Sequence, residues 1–170
     1  MGSDRVLRRA LTLLATIAAL AAAMTTHAQV SEEDLKAAFV YNFALFTEWP
    51  PDRLGAGQKL LICAPPDERQ LAALRRLQAK TVGGRQIAVT AAAGEADRCH
   101  VVLYSRVLPA EAAAVDALTV CDGSRFACGD AVITLLREGD RIRFDVDVTR
   151  AKARRLSLSS KLLRVARRVQ

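Results

Sequence analysis

The chain lacks the short signatures that carry enzyme chemistry. No G-x-S-x-G, H-E-x-x-H, P-loop or G-x-G-x-x-G occurs in its 170 residues. Each of those patterns sets particular residue types at the spacing its chemistry needs, so their absence speaks against a catalyst. Histidine is scarce as well: beyond the first 28 residues only His100 is present. It sits at the start of an apolar run with no nucleophile motif beside it, which reads as a core histidine and not a general base. After the N-terminal segment no apolar run is long enough to span a membrane. Acids are missing from residues 150–170, which hold eight Lys and Arg, whereas residues 29–149 carry 14 basic and 17 acidic side chains. The formal charge of +7 therefore reports one C-terminal element and gives no support to nucleic-acid binding.

The N-terminus is built differently. Arg5, Arg8 and Arg9 precede an apolar run from Ala10 to Met24, and Thr26-His27-Ala28 offers a small-x-small cleavage site. This is the pattern of a secretory signal peptide over 1–28, and the run is too short for a comfortable anchor helix. Cleavage would leave 142 residues, 29–170, enough for one domain with a sizeable core in the compartment beyond the inner membrane.

Aromatic residues make up only 5% of the chain, yet three of five Phe, the single Trp and one of two Tyr fall within Lys36–Pro51. Leu35, Ala38, Phe39, Asn42, Phe43, Phe46 and Trp49 recur there at helical spacing, with Val40, Ala44 and Leu45 outside that stripe. The spacing predicts a helix that packs into a core. Ser31-Glu32-Glu33-Asp34 supplies a capping pattern at its start, and Pro50-Pro51 is expected to end it.

Lys59–Ala64 and Cys99–Ser105 are short apolar runs that read as buried strands, with Arg85–Thr90 a third candidate. Leu71, Leu74 and Leu77 mark a second amphipathic helix ending near Lys80, and Glu111–Ala117 is alanine-rich helix former. Ala131–Leu136 and Arg141–Val148 flank Glu138-Gly139-Asp140 and read as a hairpin, the second run alternating Ile142, Phe144, Val146 and Val148 with charged residues. The acidic pairs Glu138/Asp140 and Asp145/Asp147 read as solvated charge. In the last segment Leu158, Leu162, Val165, Ala166 and Val169 share one helical face, capped by Ser157 or Ser159. Its cations read as the solvated side of a docked helix, ahead of a lipid- or partner-facing patch. This alternating order predicts an α/β domain, a mixed and largely parallel sheet with helices on both faces and the hairpin as an antiparallel edge.

Four cysteines, Cys63, Cys99, Cys121 and Cys128, form an even set in an exported chain and read as two disulfides, with three connectivities open. Cys99-His100 lacks the paired spacing of a zinc site, so no metal or other cofactor is expected.

Lys36-Ala37-Ala38-Phe39, Tyr41-Asn42-Phe43 and Glu48-Trp49-Pro50, with the Cys99-His100 strand, the Phe126–Gly129 loop, Arg141–Val146 and Leu158–Leu163, resemble the YfiR-like periplasmic proteins in order and spacing. The resemblance implies bridges Cys63–Cys99 and Cys121–Cys128. It also implies a periplasmic repressor that binds the periplasmic sensor domain of a membrane diguanylate cyclase, lowering cyclic di-GMP output and biofilm formation. Where such proteins often have Glu-Ile-Asn, this chain has Asp145-Val146-Asp147. The binding surface is placed on the hairpin, final helix and disulfide loop, with Arg143, Arg164 and Arg167 as contacts, and a homodimer is a further assembly open to the chain. The alternative is a periplasmic small-ligand binding or carrier protein without a cyclase partner. A structural role for Cys121–Cys128 is preferred to a redox switch.

Overall fold

The computed structural model describes residues 30–91, 96–105, 107, 116–124 and 128–170. The signal peptide expected over 1–28, the helix expected over 111–117, apart from its last two residues, and Arg125-Phe126-Ala127 of the disulfide loop lie outside them. Ser31–Gln170 forms one compact unit.

In chain order the unit runs α1 (Glu32–Leu45), β1 (Thr47–Glu48), β2 (Leu60–Ala64), α2 (Glu68–Arg75) continued by a 3-10 turn (Arg76–Ala79), β3 (Thr81–Val82) and β4 (Arg85–Ala91). A 3-10 turn (Ala96–Arg98), β5 (Val101–Tyr104), β6 (Leu118–Asp122), β7 (Ile133–Glu138) and β8 (Arg141–Val146) follow. The chain then continues through α3 (Val148–Ala153), β9 (Ser157–Leu158), α4 (Ser160–Val165) and β10 (Arg168–Val169).

The apolar runs pair as a parallel core, β4-β2-β5-β6-β7, in which the second strand of the set lies beside the first and the rest follow outward. This is a doubly wound order, and its direction of winding reverses between β2 and β5. The β3 strand adds antiparallel to β4, β8 adds antiparallel to β7 in the expected hairpin, and β10 adds parallel to β8. The expected α/β class with a mostly parallel sheet is therefore the observed one.

Alternation divides the sheet's side chains between two faces. Leu60, Ile62, Val101, Leu103, Leu118, Val120, Ile133, Leu135, Phe144 and Val146 join the main core with α1 and α2. Phe43 sits at its centre, 4.9 Å from the Phe144 ring and 5.8 Å from Phe39, in tilted and edge contacts that aromatic quadrupoles favour. The opposite parity places Cys63 with Cys99, Val102 and Ala117, and Tyr104 with Cys121 and Ala131, in two small clusters.

Three expectations are corrected. The buried face of α1 is Lys36, Ala37, Val40, Phe43 and Ala44, whereas Leu35 is exposed and Ala38 and Asn42 face solvent. Small residues at 37, 40 and 44 let the helix lie close to the sheet, while Phe39, Phe46 and Trp49 pack on the flank. The helix also ends before the prolines: Phe46 N donates to Asn42 and Phe43 carbonyls, Thr47 Oγ1 donates to Phe43 O at 2.7 Å, and β1 pairs with β9. At the C-terminus the single helix expected over 158–169 is one short helix, α4, between the two-residue strands β9 and β10, and a separate helix, α3, precedes them. Asp147 caps α3 by accepting from Arg150 N at 2.7 Å, and Ser159 caps α4. Beyond Ala166, Arg167 N donates to Phe144 O and Gln170 N to Val146 O. The hairpin is thus not the edge, and Val165 and Val169 face outward instead of joining a docked stripe.

Candidate functional site

Two hollows sit at opposite ends of the parallel strands. The first opens at the carboxyl ends of β2, β5 and β6, where the winding reverses, with a volume of about 290 Å³. Sheets of this kind leave a crevice at that point because the chains leaving β2 and β5 diverge to opposite sides. Its walls come from the first turns of α1 and α2 and include Glu32, Lys36, Asp67, Arg69, Gln70 and Asp122.

Lys36 governs this hollow. The close approach of α1 to the sheet buries the lysine stem, and its Nζ lies 2.6 Å from a Glu32 oxygen and 2.6 Å from Asp122. Burial alone would pull the ammonium down, but hydrogen bonds to Asp122 and Glu32 outweigh it and hold Lys36 above its ordinary value of 10.5. For Asp122, burial pushes up and the Lys36 bond wins, keeping the carboxyl below 3.8. Asp122 also accepts from Ser124 N at 3.2 Å, and Arg137 reaches Glu32 at 3.0 Å. A lysine held charged between two carboxylates is a structural hub and a poor nucleophile. Sequence reasoning passed over it. The available signal was its position four residues after Glu32 within an otherwise apolar stretch.

The second hollow, about 450 Å³, lies at the amino ends of β2 and β5, with Arg53, Lys59, Arg98 and His100 around Leu61 and Ala88. His100 is buried, as a core histidine should be, and both ring nitrogens are engaged. Nδ1 accepts from Leu61 N at 3.0 Å, which leaves Nε2 to donate to Arg53 O at 3.1 Å. Trp49 Nε1 donates to His100 O at 3.1 Å, and the two rings meet edge-on. Burial, the largest influence, pulls the imidazole below its ordinary 6.5, and the Arg53 and Arg85 charges act in the same direction. Both nitrogens being bonded to backbone, the ring has no capacity left for proton transfer to a substrate. The cations around it lie on separate segments, so no motif marked them.

The structure joins Cys63 to Cys99 with Cα atoms 5.9 Å apart and Cys121 to Cys128 at 6.1 Å, the pairing that the resemblance implied. The first bridge is fully buried. The second closes a loop held against β7: Gly123 N donates to Leu135 O at 2.9 Å, and a Cβ at Gly123 would lie 2.8 Å from Thr134 Cγ2. Only glycine permits that approach.

Arg143 is exposed on β8, Arg164 and Val165 on α4, and Val169 on β10. Arg167 is engaged internally. Its guanidinium forks onto Asp145 at 2.7 and 2.5 Å and reaches Glu138 at 2.8 Å, clamping the approach to β10 against the hairpin. Asp145, in turn, is held below the ordinary carboxylate range chiefly by its bond to Arg167. The acidic residues expected to be free charge at 138 and 145 are therefore this clamp's acceptors, and Asp147 is a helix cap. Asp and Asn serve equally well as caps, so the departure at 147 keeps the cap.

Among the described residues no group of three or more His, Cys, Asp and Glu could hold a metal ion, and no helix is long and apolar enough to cross a membrane. A family profile described as YfiR/HmsC-like matches residues 33–167. No curated protein matches the chain.

Proposed function

The chain belongs to the YfiR/HmsC-like family, and from that premise we propose that it is a periplasmic regulatory protein that binds and restrains the sensor domain of an inner-membrane diguanylate cyclase, lowering cyclic di-GMP signalling. The observation that carries the reading is the family match over 33–167. Two disulfides and no free cysteine among the described residues suit an oxidising compartment, and the Arg5–Ala28 pattern supplies the route to it. The role is regulatory and not enzymatic.

The partner surface in this proposal is the edge formed by β8, α4 and β10. Arg143 on β8, Arg164 and Val165 on α4, the last 65% exposed, and Val169 on β10 are exposed along it, basic and apolar groups suited to an acidic face. Arg167 belongs to the internal clamp and braces that edge. The test is calorimetric titration of the purified protein with the isolated periplasmic domain of a membrane diguanylate cyclase. Binding that weakens at least about tenfold in Arg143→Glu/Arg164→Glu is the expected result. No binding to any such domain would overturn the cyclase reading, and binding unchanged in the double variant would remove this surface from it.

The small-ligand carrier remains the second reading because of one observation, the 290 Å³ crevice at the point where the sheet's winding reverses.

A further inference from the structure

Most of the unit's buried or clamped cations face carboxylates: Lys36 lies on Glu32 and Asp122, Arg155 on Asp52 and Asp116, and Arg167 on Asp145 and Glu138. The amino end of the sheet breaks that pattern. Arg53 donates to the carbonyls of Asp97 and Cys99 at 2.6 and 2.7 Å, and its Nε is buried with no acceptor. Among the described residues Arg85 reaches the Gly55 and Gly83 carbonyls, at 3.4 and 3.5 Å. Lys59 is exposed and, like Arg53 and Arg85, has no carboxylate partner among the described residues.

These three cations line two hollows that share Lys59. Arg53 and Lys59 line the 450 Å³ hollow above His100, and Lys59 also lines an adjoining hollow of about 390 Å³ with Arg85. No carboxylate stands among the described residues lining either hollow. The floor is apolar, from half-buried Leu61 and Ala88. Like charges held over a low-dielectric floor repel one another and concentrate a positive potential in the basin, which an anion relieves. Burial, the largest influence, pulls the Arg53 guanidinium below its ordinary value against the smaller opposing effect of the Asp116 and Asp97 charges.

We propose that this basin is a binding site for a small organic anion, its phosphate or carboxylate head held by Arg53, Lys59 and Arg85 and its apolar body laid on Leu61 and Ala88. Arg53 is the fixed element, locked to two carbonyls, with a buried Nε that has no acceptor. Lys59 and Arg85 are the adjustable jaws. The site is independent of the cyclase reading, since it lies at β2, β4 and β5 and not at the β8–β10 edge.

The test titrates the purified protein, at fixed ionic strength, with inorganic phosphate, phenyl phosphate and benzoate, following heat and the amide resonances of Leu61, Ala88 and His100. The expected result is saturable binding, with phenyl phosphate about tenfold tighter than inorganic phosphate and either Lys59→Met or Arg85→Met weakening it about five- to tenfold. Both side chains reach solvent, so these variants should unfold at the wild-type urea midpoint. Arg143→Met/Arg164→Met should bind as wild type, separating a built site from general basicity. The proposal is overturned if no probe saturates, if the Lys59 and Arg85 variants bind as well as wild type, or if the distant pair weakens binding equally. Tighter binding of phenyl phosphate than benzoate, or the reverse, identifies the head group.

Discussion

At the amino ends of the central strands a neutral imidazole is bonded wholly to backbone, and at the carboxyl ends an ammonium is bonded to two carboxylates. Each region also has its own disulfide, Cys63–Cys99 beside His100 and Cys121–Cys128 beside Asp122. The same sheet is thus closed by two electrostatic plans. At the carboxyl end Lys36, Glu32 and Asp122 neutralise one another within the protein. At the amino end the hub carries no charge, and Arg53 and Arg85 beside it donate to backbone carbonyls. Self-neutralised charge builds structure, and charge left without a counter-ion is where binding is to be sought.

The largest expected difference between the ends is covalent. Loop-closure entropy assigns about 3.8 kcal/mol to the bridge spanning 36 residues and about 2.5 kcal/mol to the one spanning seven. Urea unfolding of Cys63→Ser/Cys99→Ser should therefore show the greater loss of stability. Equal losses would mean that the small loop contributes more to the native state than closure entropy allows.

Next comes the ionic hub. Lys36→Met strands Asp122 beside a buried apolar group and should cost about 3 kcal/mol in the same assay. Adding Asp122→Asn should restore part of that loss. A double variant no better than the single would show that Lys36 acts through its stem packing instead of its charge.

The helical start at Ser31, the apolar runs of β2 and β5 and the alternation of β8 were legible because each pattern is longer than the noise around it. The strands β1, β3, β9 and β10 have two residues each, below any period, and exist only because a neighbour supplies their bonds. The face of α1 was misjudged because it is apolar on several sides, and only the sheet decides that Val40 goes in while Leu35 stays out. The disulfide pairing was reached through resemblance alone. Arg53, Lys59, Arg85 and Arg98 are spread along 46 residues, and it is the parallel pairing of β2 with β4 and β5 that gathers them.

The smallest effect separates the hubs by pH. Because burial lowers the folded-state pKa of His100, both states are neutral above the ordinary 6.5 and the contribution is complete there. As pH falls below that value the unfolded chain takes up the proton first, and stability declines, by at most about 1.4 kcal/mol per pH unit, until the folded imidazole is protonated too. The urea midpoint of His100→Gln should lack this limb between pH 6.5 and 5. The Lys36–Asp122 hub keeps its contribution over that span, since the depressed Asp122 pKa moves its loss below 3.8. Identical slopes in the variant and wild type would remove His100 from the acid response.

The two bridges also have an order in time. Their loops, 63–99 and 121–128, follow one another along the chain and do not interlace. A polypeptide emerging amino end first presents Cys63 and Cys99 together before Cys121 exists, and β2 can already lie beside β4 and β5. The first thiol pair is therefore complete before Cys121 appears, and once it is oxidised Cys121 and Cys128 meet no other free thiol, so vectorial emergence steers oxidation away from mispairing.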